Sequence, residues 1–178
     1  KHARDHIVIT LMFEAWEWRD ADMDLSYIRK RGFKVGATNE RHSDIDVFNY
    51  LGDMALKLIF DAGITPYRNN FILFCNNDFG PYIAKVLSKV CSNLGVIDKK
   101  ENKTNYNLNA IEWLGDFPDF EIPKKYIDSE AVIFTAYPFT TDWTSQESNI
   151  NWEKLIRRLN NPFILRFAGH IDENSMNN

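Results

Sequence analysis

Apolar residues in this chain fall into two alternating patterns: short, nearly unbroken runs, and longer stretches in which they recur every three or four positions. The runs His6–Met12 (HIVITLM), Phe33–Ala37 (FKVGA), Phe71–Phe74 (FILF), Gly95–Ile97, Ala131–Thr135 (AVIFT) and Phe163–Phe167 (FILRF) have the length and composition of buried strands. Helical spacing marks Leu25–Arg31, Asp44–Ala62 (Phe48, Leu51, Ala55, Leu58, Ile59) and Asn151–Leu159. A further helix is predicted to open at Gly80-Pro81 and to carry Ile83, Val86, Leu87, Val90 and Leu94 on one face. Ser43 is placed to cap the long helix, Asp44 and Asp46 suit its positive end, and Gly63 stops it. Lys99–Asn109 is polar and reads as a surface loop, Asn109–Leu114 as a brief helix or strand, and Phe117–Pro123, with its two prolines, as irregular. Strands and helices alternating at these lengths predict an α/β protein: a doubly wound, mostly parallel Rossmann-like sheet, preceded by part of a second α/β unit. Pro66 and Asn69-Asn70 punctuate the chain between them, which places the units at 1–66 and 67–178.

Composition narrows the function. The 178 residues are 44% hydrophobic and 14% aromatic, with a net charge of −4, so the chain is globular and long enough to bury a substantial core. Its basic residues are scattered among acids, and the runs Arg29-Lys30-Arg31, Lys99-Lys100 and Arg157-Arg158 read as solvated faces, so no nucleic-acid partner is expected. No apolar run approaches the ~20 residues of a membrane span, and no signal-peptide pattern is expected. Cys75 and Cys91 lack metal or redox spacing and read as core thiols in a reducing, cytoplasmic setting. His2, His6, His42 and His170 show no zinc-site pairing, so no metal is expected. The chain opens on Lys1 rather than Met, which reads as a processed or partial chain.

The candidate chemistry centres on NFILFCNNDFGPYIAK, residues 70–85. A strand, a tight polar turn and a helix N-terminus in that order make the phosphate-cradling unit of dinucleotide-binding folds. In the three glycine slots of G-x-G-x-x-G stand Cys75, Asn77 and Gly80, so only the last is a glycine. Asn76, Asn77, Asp78, Phe79 and Gly80 are therefore candidate cofactor contacts with an altered phosphate grip, while Asp78 can equally serve as the helix cap. Asp98, about twenty residues beyond the turn and at a strand end, is where such folds hold the adenine ribose, and a carboxylate there favours NAD over NADP. Asn39, Glu40, Arg41 and His42 follow a strand and are candidate substrate contacts. Tyr137, Thr140, Thr141 and Asp142 follow another and would line the opposite wall, and Tyr137 and Pro138 are further candidate cofactor contacts. Trp16, Trp18 and Trp143 are large enough to cover a pocket or to pack a core.

From Asp22 to Asp172 the chain resembles the D-isomer-specific 2-hydroxyacid dehydrogenases. The stretch RKRGFKVGATNERHSDIDVFNYLGDMALKLIFDAG is similar to their strand and long helix before the Rossmann unit. AVIFTAYPFTTDWT is similar to their D-x-V-x-x-H-x-P-L-T-x-x-T segment, with Pro138, Thr140 and Thr144 in comparable places. PFILRFAGHIDENSM is similar to the strand that ends in an Arg-Gly pair before V-D-x-x-x-L. The resemblance implies a flavodoxin-like substrate unit joined to an NAD(P)-binding Rossmann domain, a homodimer, and a small carboxylate-bearing substrate in an interdomain cleft. It makes Arg166 the nearest match to the family's carboxylate-binding arginine, one position early relative to Asp172, and brings His170 into consideration as a catalytic substitute. The family's own catalytic Glu and His come after this point of the sequence. Two readings follow: a divergent NAD(P)-dependent oxidoreductase, or a non-catalytic Rossmann-like module that binds or scaffolds within a larger protein or complex.

Overall fold

The computed structural model describes residues 6–14, 17–19 and 21–176, and the chain divides into two compact units, one ending at Phe48 and the other beginning at Asn49. The first is a small βαβ unit. Strand β1 (Val8–Thr10) pairs in parallel with β2 (Lys34–Gly36), and α1 (Leu25–Lys30) connects them. Asp24 caps α1 by accepting the Tyr27 N–H at 2.9 Å.

The long helix α2 (Val47–Asp61) starts three residues later than its acidic flank predicted. Ser43 is not its cap. The chain instead turns tightly through His42–Asp46, with the Asp46 N–H donating to His42 O at 2.8 Å and Asp46 at φ +46°. From Asn49 onward α2 belongs to the second unit, rather than to a first unit ending near Pro66, because it packs closely on α3 (Gly80–Leu87). Gly52 permits that approach: a Cβ there would strike the Val86 side chain and come within 2.8 Å of Tyr82 O.

The second unit is built on a five-stranded, all-parallel sheet flanked by helices, in the order β5-β4-β3-β6-β7. Its strands are β3 (Asn70–Cys75), β4 (Asn93–Asp98), β5 (Ile111–Asp116), β6 (Ala131–Thr135) and β7 (Phe163–Ala168). This is a Rossmann-like doubly wound fold. Ile72 and Phe74 of β3, with Val132 and Phe134 of β6, share one core with Trp152 and Leu155 of α4 (Trp152–Arg158). By strand alternation Phe71, Leu73 and Ile133 face the opposite way, as does Cys75, whose thiol lies under the start of α3. The fully buried runs in β3, β4 and β6 are the reason these strands read as continuous apolar stretches.

Two sequence expectations change here. Helix α3 ends at Leu87, so Leu94 lies in β4 rather than on the helix face. The polar stretch after β4 is a 3-10 helix over Lys100–Tyr106, with Tyr106 buried beneath it, and not a surface loop throughout. Asn109–Leu114 resolves as the start of β5. No helix among the described residues is long and apolar enough to cross a membrane.

Candidate functional site

The chain moves outward from β3 to β4 and β5, then returns to place β6 on the other side of β3. The direction of winding therefore reverses between β3 and β6, and the crevice beyond Cys75 and Thr135 is the switch point where open α/β sheets take ligands.

Side chains of the protein itself span this crevice. The Asn76 carboxamide donates through Nδ2 to Tyr137 O at 3.0 Å and accepts the Tyr137 N–H through Oδ1 at 2.7 Å. One carboxamide thus satisfies both backbone groups of a residue on the facing strand's continuation, as a rung of a β-ladder would. The Asn76 N–H donates to Thr135 O at 3.3 Å, and Asn77 Nδ2 donates to Thr135 Oγ1 at 3.0 Å. Asn77 Oδ1 also accepts the Phe79 N–H at 3.0 Å, which closes the turn into α3. Asn76 is only 6% exposed and Thr135 is fully buried, so these bonds replace water contacts neither group can regain.

The second half of the expected cofactor site is occupied in the same way. Asp98 closes β4 and is completely buried. Its Oδ1 accepts the Lys99 N–H at 2.6 Å; its Oδ2 accepts Asn102 Nδ2 at 3.1 Å and the Tyr106 hydroxyl. That hydroxyl also lies 3.5 Å from Cys75 Sγ, itself 3.6 Å from Ile97 O. Gly80 completes the packing: a Cβ at this position would fall on the Tyr106 hydroxyl, 2.6 Å from Cys75 Sγ and 3.2 Å from Asp98 Oδ2. The one retained glycine of the motif makes room for the protein's own phenol.

Burial sets the electrostatics of this cluster. It raises the Asp98 pKa above the ordinary carboxylate value, although the hydrogen bonds from Tyr106, Lys99 and Asn102 oppose it. Burial, with the charge of Asp98 second, pushes the Cys75 thiol well up, and burial likewise raises Tyr106. Cys75 is thus a fully buried thiol whose surroundings disfavour the thiolate. Cys91 is half-buried, and burial raises it to about 11.

The remaining expected site residues are dispersed. Asp78 is exposed and does not cap α3, whose N-cap is Phe79 without a side-chain bond; Asn77 orders the turn instead. The Phe79 ring stacks on Phe139 at 5.9 Å and meets Phe167 edge-on at 6.3 Å, and Tyr137 meets Phe139 at 5.3 Å. The C-terminal edge of the sheet is thus aromatic where phosphate contacts were expected. Pro138 follows a cis peptide bond, and its carbonyl accepts the buried Trp143 indole N–H at 3.1 Å. Thr140 is exposed and Thr141 half-buried. Asp142 accepts the Thr144 N–H at 2.9 Å and the Thr144 hydroxyl at 2.5 Å; these bonds, and His170 after them, hold its carboxyl below the usual range.

His170 forms an isolated parallel bridge with Asp142, its carbonyl accepting the Trp143 N–H at 3.0 Å. Arg166 is placed away from the switch point. It lies exposed on the edge strand β7, in register with Phe134, and lines a groove on the α4 side whose lining does not include His170.

In the first unit, the loop after β2 is occupied with its own turns. Asn39 Oδ1 accepts the Arg41 N–H at 3.2 Å, His42 Nδ1 accepts the Asp44 N–H at 3.3 Å, and the Arg41 guanidinium sits 4.1 Å from the Phe48 ring centroid. The Glu40 N–H donates to Glu14 Oε1 at 2.9 Å, and Glu17 Oε2 accepts the Glu14 N–H at 3.2 Å. Burial first, then the charges of Glu17 and Glu14, raise the Glu40 pKa. Trp18 is half-buried with its indole N–H unpartnered, while Trp16 and His2 lie outside the described residues. No group of three or more His, Cys, Asp or Glu among the described residues is placed to hold a metal ion.

Sequence reading missed Tyr106, Asn102 and Thr135 as members of the site. The available signal was a bulky aromatic inside an otherwise polar segment, which a solvated loop does not explain. No family model matches the chain, and no curated protein or solved structure matches it either.

Proposed function

We propose that this chain is a Rossmann-like module that works by binding or scaffolding within a larger protein or complex, and is not itself a dehydrogenase. The observation that carries this reading is the Asn76 carboxamide joined to both backbone groups of Tyr137 across the switch point. A dinucleotide pyrophosphate needs free backbone N–H groups and close approach at that place. Here a part-buried side-chain pairing takes the space, and the Tyr106 phenol takes the Asp98 carboxylate that would otherwise receive a ribose.

Titration with NADH and NADPH, followed by nicotinamide fluorescence, tests the proposal. No saturable binding at millimolar cofactor is expected for the chain or for a longer parent that contains it. Micromolar binding of either cofactor overturns it.

The dehydrogenase reading keeps one specific point in its favour. Asp98 ends the strand after the turn, and Gly80 opens the helix, both at the places a dinucleotide would use. On that reading NAD is the cofactor, and a small carboxylate-bearing acid is the substrate. A reducing, cytoplasmic setting fits the two free cysteines under either reading, and light scattering on the purified protein tests the homodimer.

A further inference from the structure

Beside the edge strand β7 runs a groove of about 540 Å3, lined by Ile156 of α4, Asn161 and Pro162 of the connection, Ile164 and Arg166 of β7, and Ile171 and Met176 beyond it. Its size falls within the range of small-molecule sites. The floor is the margin of the hydrophobic core: Ile171 is buried in the α4-side core cluster, and Ile164 and Met176 pack against that cluster. Among the described residues of the lining Arg166 is the only charged one, and no hydrogen bond or ion pair joins its guanidinium to another described residue. None of the residues at the switch point contributes to this groove.

We propose that this groove is a binding site for an unbranched aliphatic monocarboxylate, held by Arg166 at one end and by the apolar floor along its tail. The planar guanidinium presents two parallel N–H donors that match a carboxylate in a bidentate fork. The remaining lining supplies aliphatic and thioether surface and one neutral carboxamide, so a ligand needs a single anionic head and an otherwise apolar body. A dicarboxylate or a sugar phosphate would lay its second polar group on Ile156, Ile164 and Ile171 without a partner. This site stands apart from the proposed function, since it is the same whether or not a nucleotide binds at the switch point.

Calorimetric titration of the whole chain with octanoate and decanoate below their micelle concentrations tests the site, with decanol and acetate as single-feature probes. Decanoate is expected to bind, with affinity gaining up to about fourfold for each added CH2 relative to octanoate, while acetate binds far more weakly. Arg166→Gln should weaken decanoate tenfold or more and leave decanol unchanged. Arg166→Lys, which keeps the charge and loses the fork, should fall between the two. Because Arg166 is exposed, neither variant should unfold the protein, and circular dichroism of both checks this. In an independent measurement, amide shifts on adding decanoate should concentrate at Ile164, Arg166 and Ile171.

No binding of decanoate by the wild type overturns the proposal, and so does equal binding by Arg166→Gln. Binding to phosphatidylglycerol vesicles without binding to monomeric decanoate overturns it as well, in favour of an anionic lipid surface.

Discussion

The Tyr106 hydroxyl donates to Asp98 Oδ2 directly against Gly80, so a residue of the 3-10 helix fills the space between the end of β4 and the start of α3. Tyr106→Phe keeps the ring and its packing but deprives a fully buried carboxylate of one donor. Hydrogen bonds to charged groups contribute about 1.5–3 kcal/mol, and a loss of that order is expected in urea unfolding at pH 7. A change within error would mean that the phenol is held by packing alone.

Asp98 also makes stability depend on pH. Its folded-state pKa lies above the unfolded value of 3.8, so between the two the folded protein binds more protons than the unfolded chain. Its contribution is therefore most favourable below pH 3.8 and is lost as pH rises through the folded value. Asp98→Asn should lower overall stability by weakening the bonds to Tyr106 and Asn102, yet flatten the slope of unfolding free energy against pH in that window. Denaturant unfolding from pH 4 to pH 8 measures both effects, and an unchanged slope would assign the dependence to other groups.

Removing the Asn76 carboxamide leaves the Tyr137 N–H and C=O without their partner in a part-buried setting. Asn76→Ala is expected to cost about 1–3 kcal/mol. Asn76→Asp should cost more at neutral pH, because an ionised carboxylate would face the Tyr137 carbonyl that now accepts a hydrogen bond. Thermal unfolding of the two variants compares them, and the reverse order would count against the two-point pairing.

Gly52→Ala opposes two effects of known size. Alanine gains about 1 kcal/mol of helix propensity over glycine, whereas overpacking a tight contact costs typically about 1–3 kcal/mol. The new Cβ would meet the Val86 side chain and lie 2.8 Å from the Tyr82 carbonyl, which is backbone and yields little. Net destabilisation is expected, read as a lower melting temperature. A stabilised variant would show that α2 and α3 separate easily.

Glu40→Gln should stabilise the first unit at pH 7 and have little effect at pH 4. The raised pKa of Glu40 reflects an ionised form disfavoured by burial and by Glu17 and Glu14, and neutralising it removes that repulsion only where the group would be charged. Hydrogen exchange of amides in β1 and β2 at the two pH values gives the local readout.

Much of the architecture was legible because burial writes itself into local pattern. Ala131–Thr135 reads as a strand, and is one, because every residue of a central parallel strand is covered on both faces. Asn151–Leu159 reads as a helix, and Trp152–Arg158 is one, for the matching reason: Trp152 and Leu155 lie on the face that meets the sheet, and Leu159 caps the helix from within the same core. The errors arose where local pattern is ambiguous. Leu94 continues the helical spacing of Val86 and Val90, but the chain turns after Ser88 and carries it into β4. Asp44 and Asp46 look like first-turn acids, yet a turn with Asp46 at positive φ precedes the helix.

Order and periodicity along the chain thus established the α/β class, the parallel sheet and the place of the turn between β3 and α3, since each depends on residues within a few positions of one another. Whether that turn is an open phosphate cradle depends on pairs far apart in sequence. Asn76 and Tyr137 are 61 positions apart, and they meet because β6 returns to lie beside β3. Gly80 and Tyr106 meet because the 3-10 helix folds its phenol back under α3. A missing glycine marks an altered grip in the linear chain, but only the folded arrangement places a carboxamide and a phenol in the space the grip would leave.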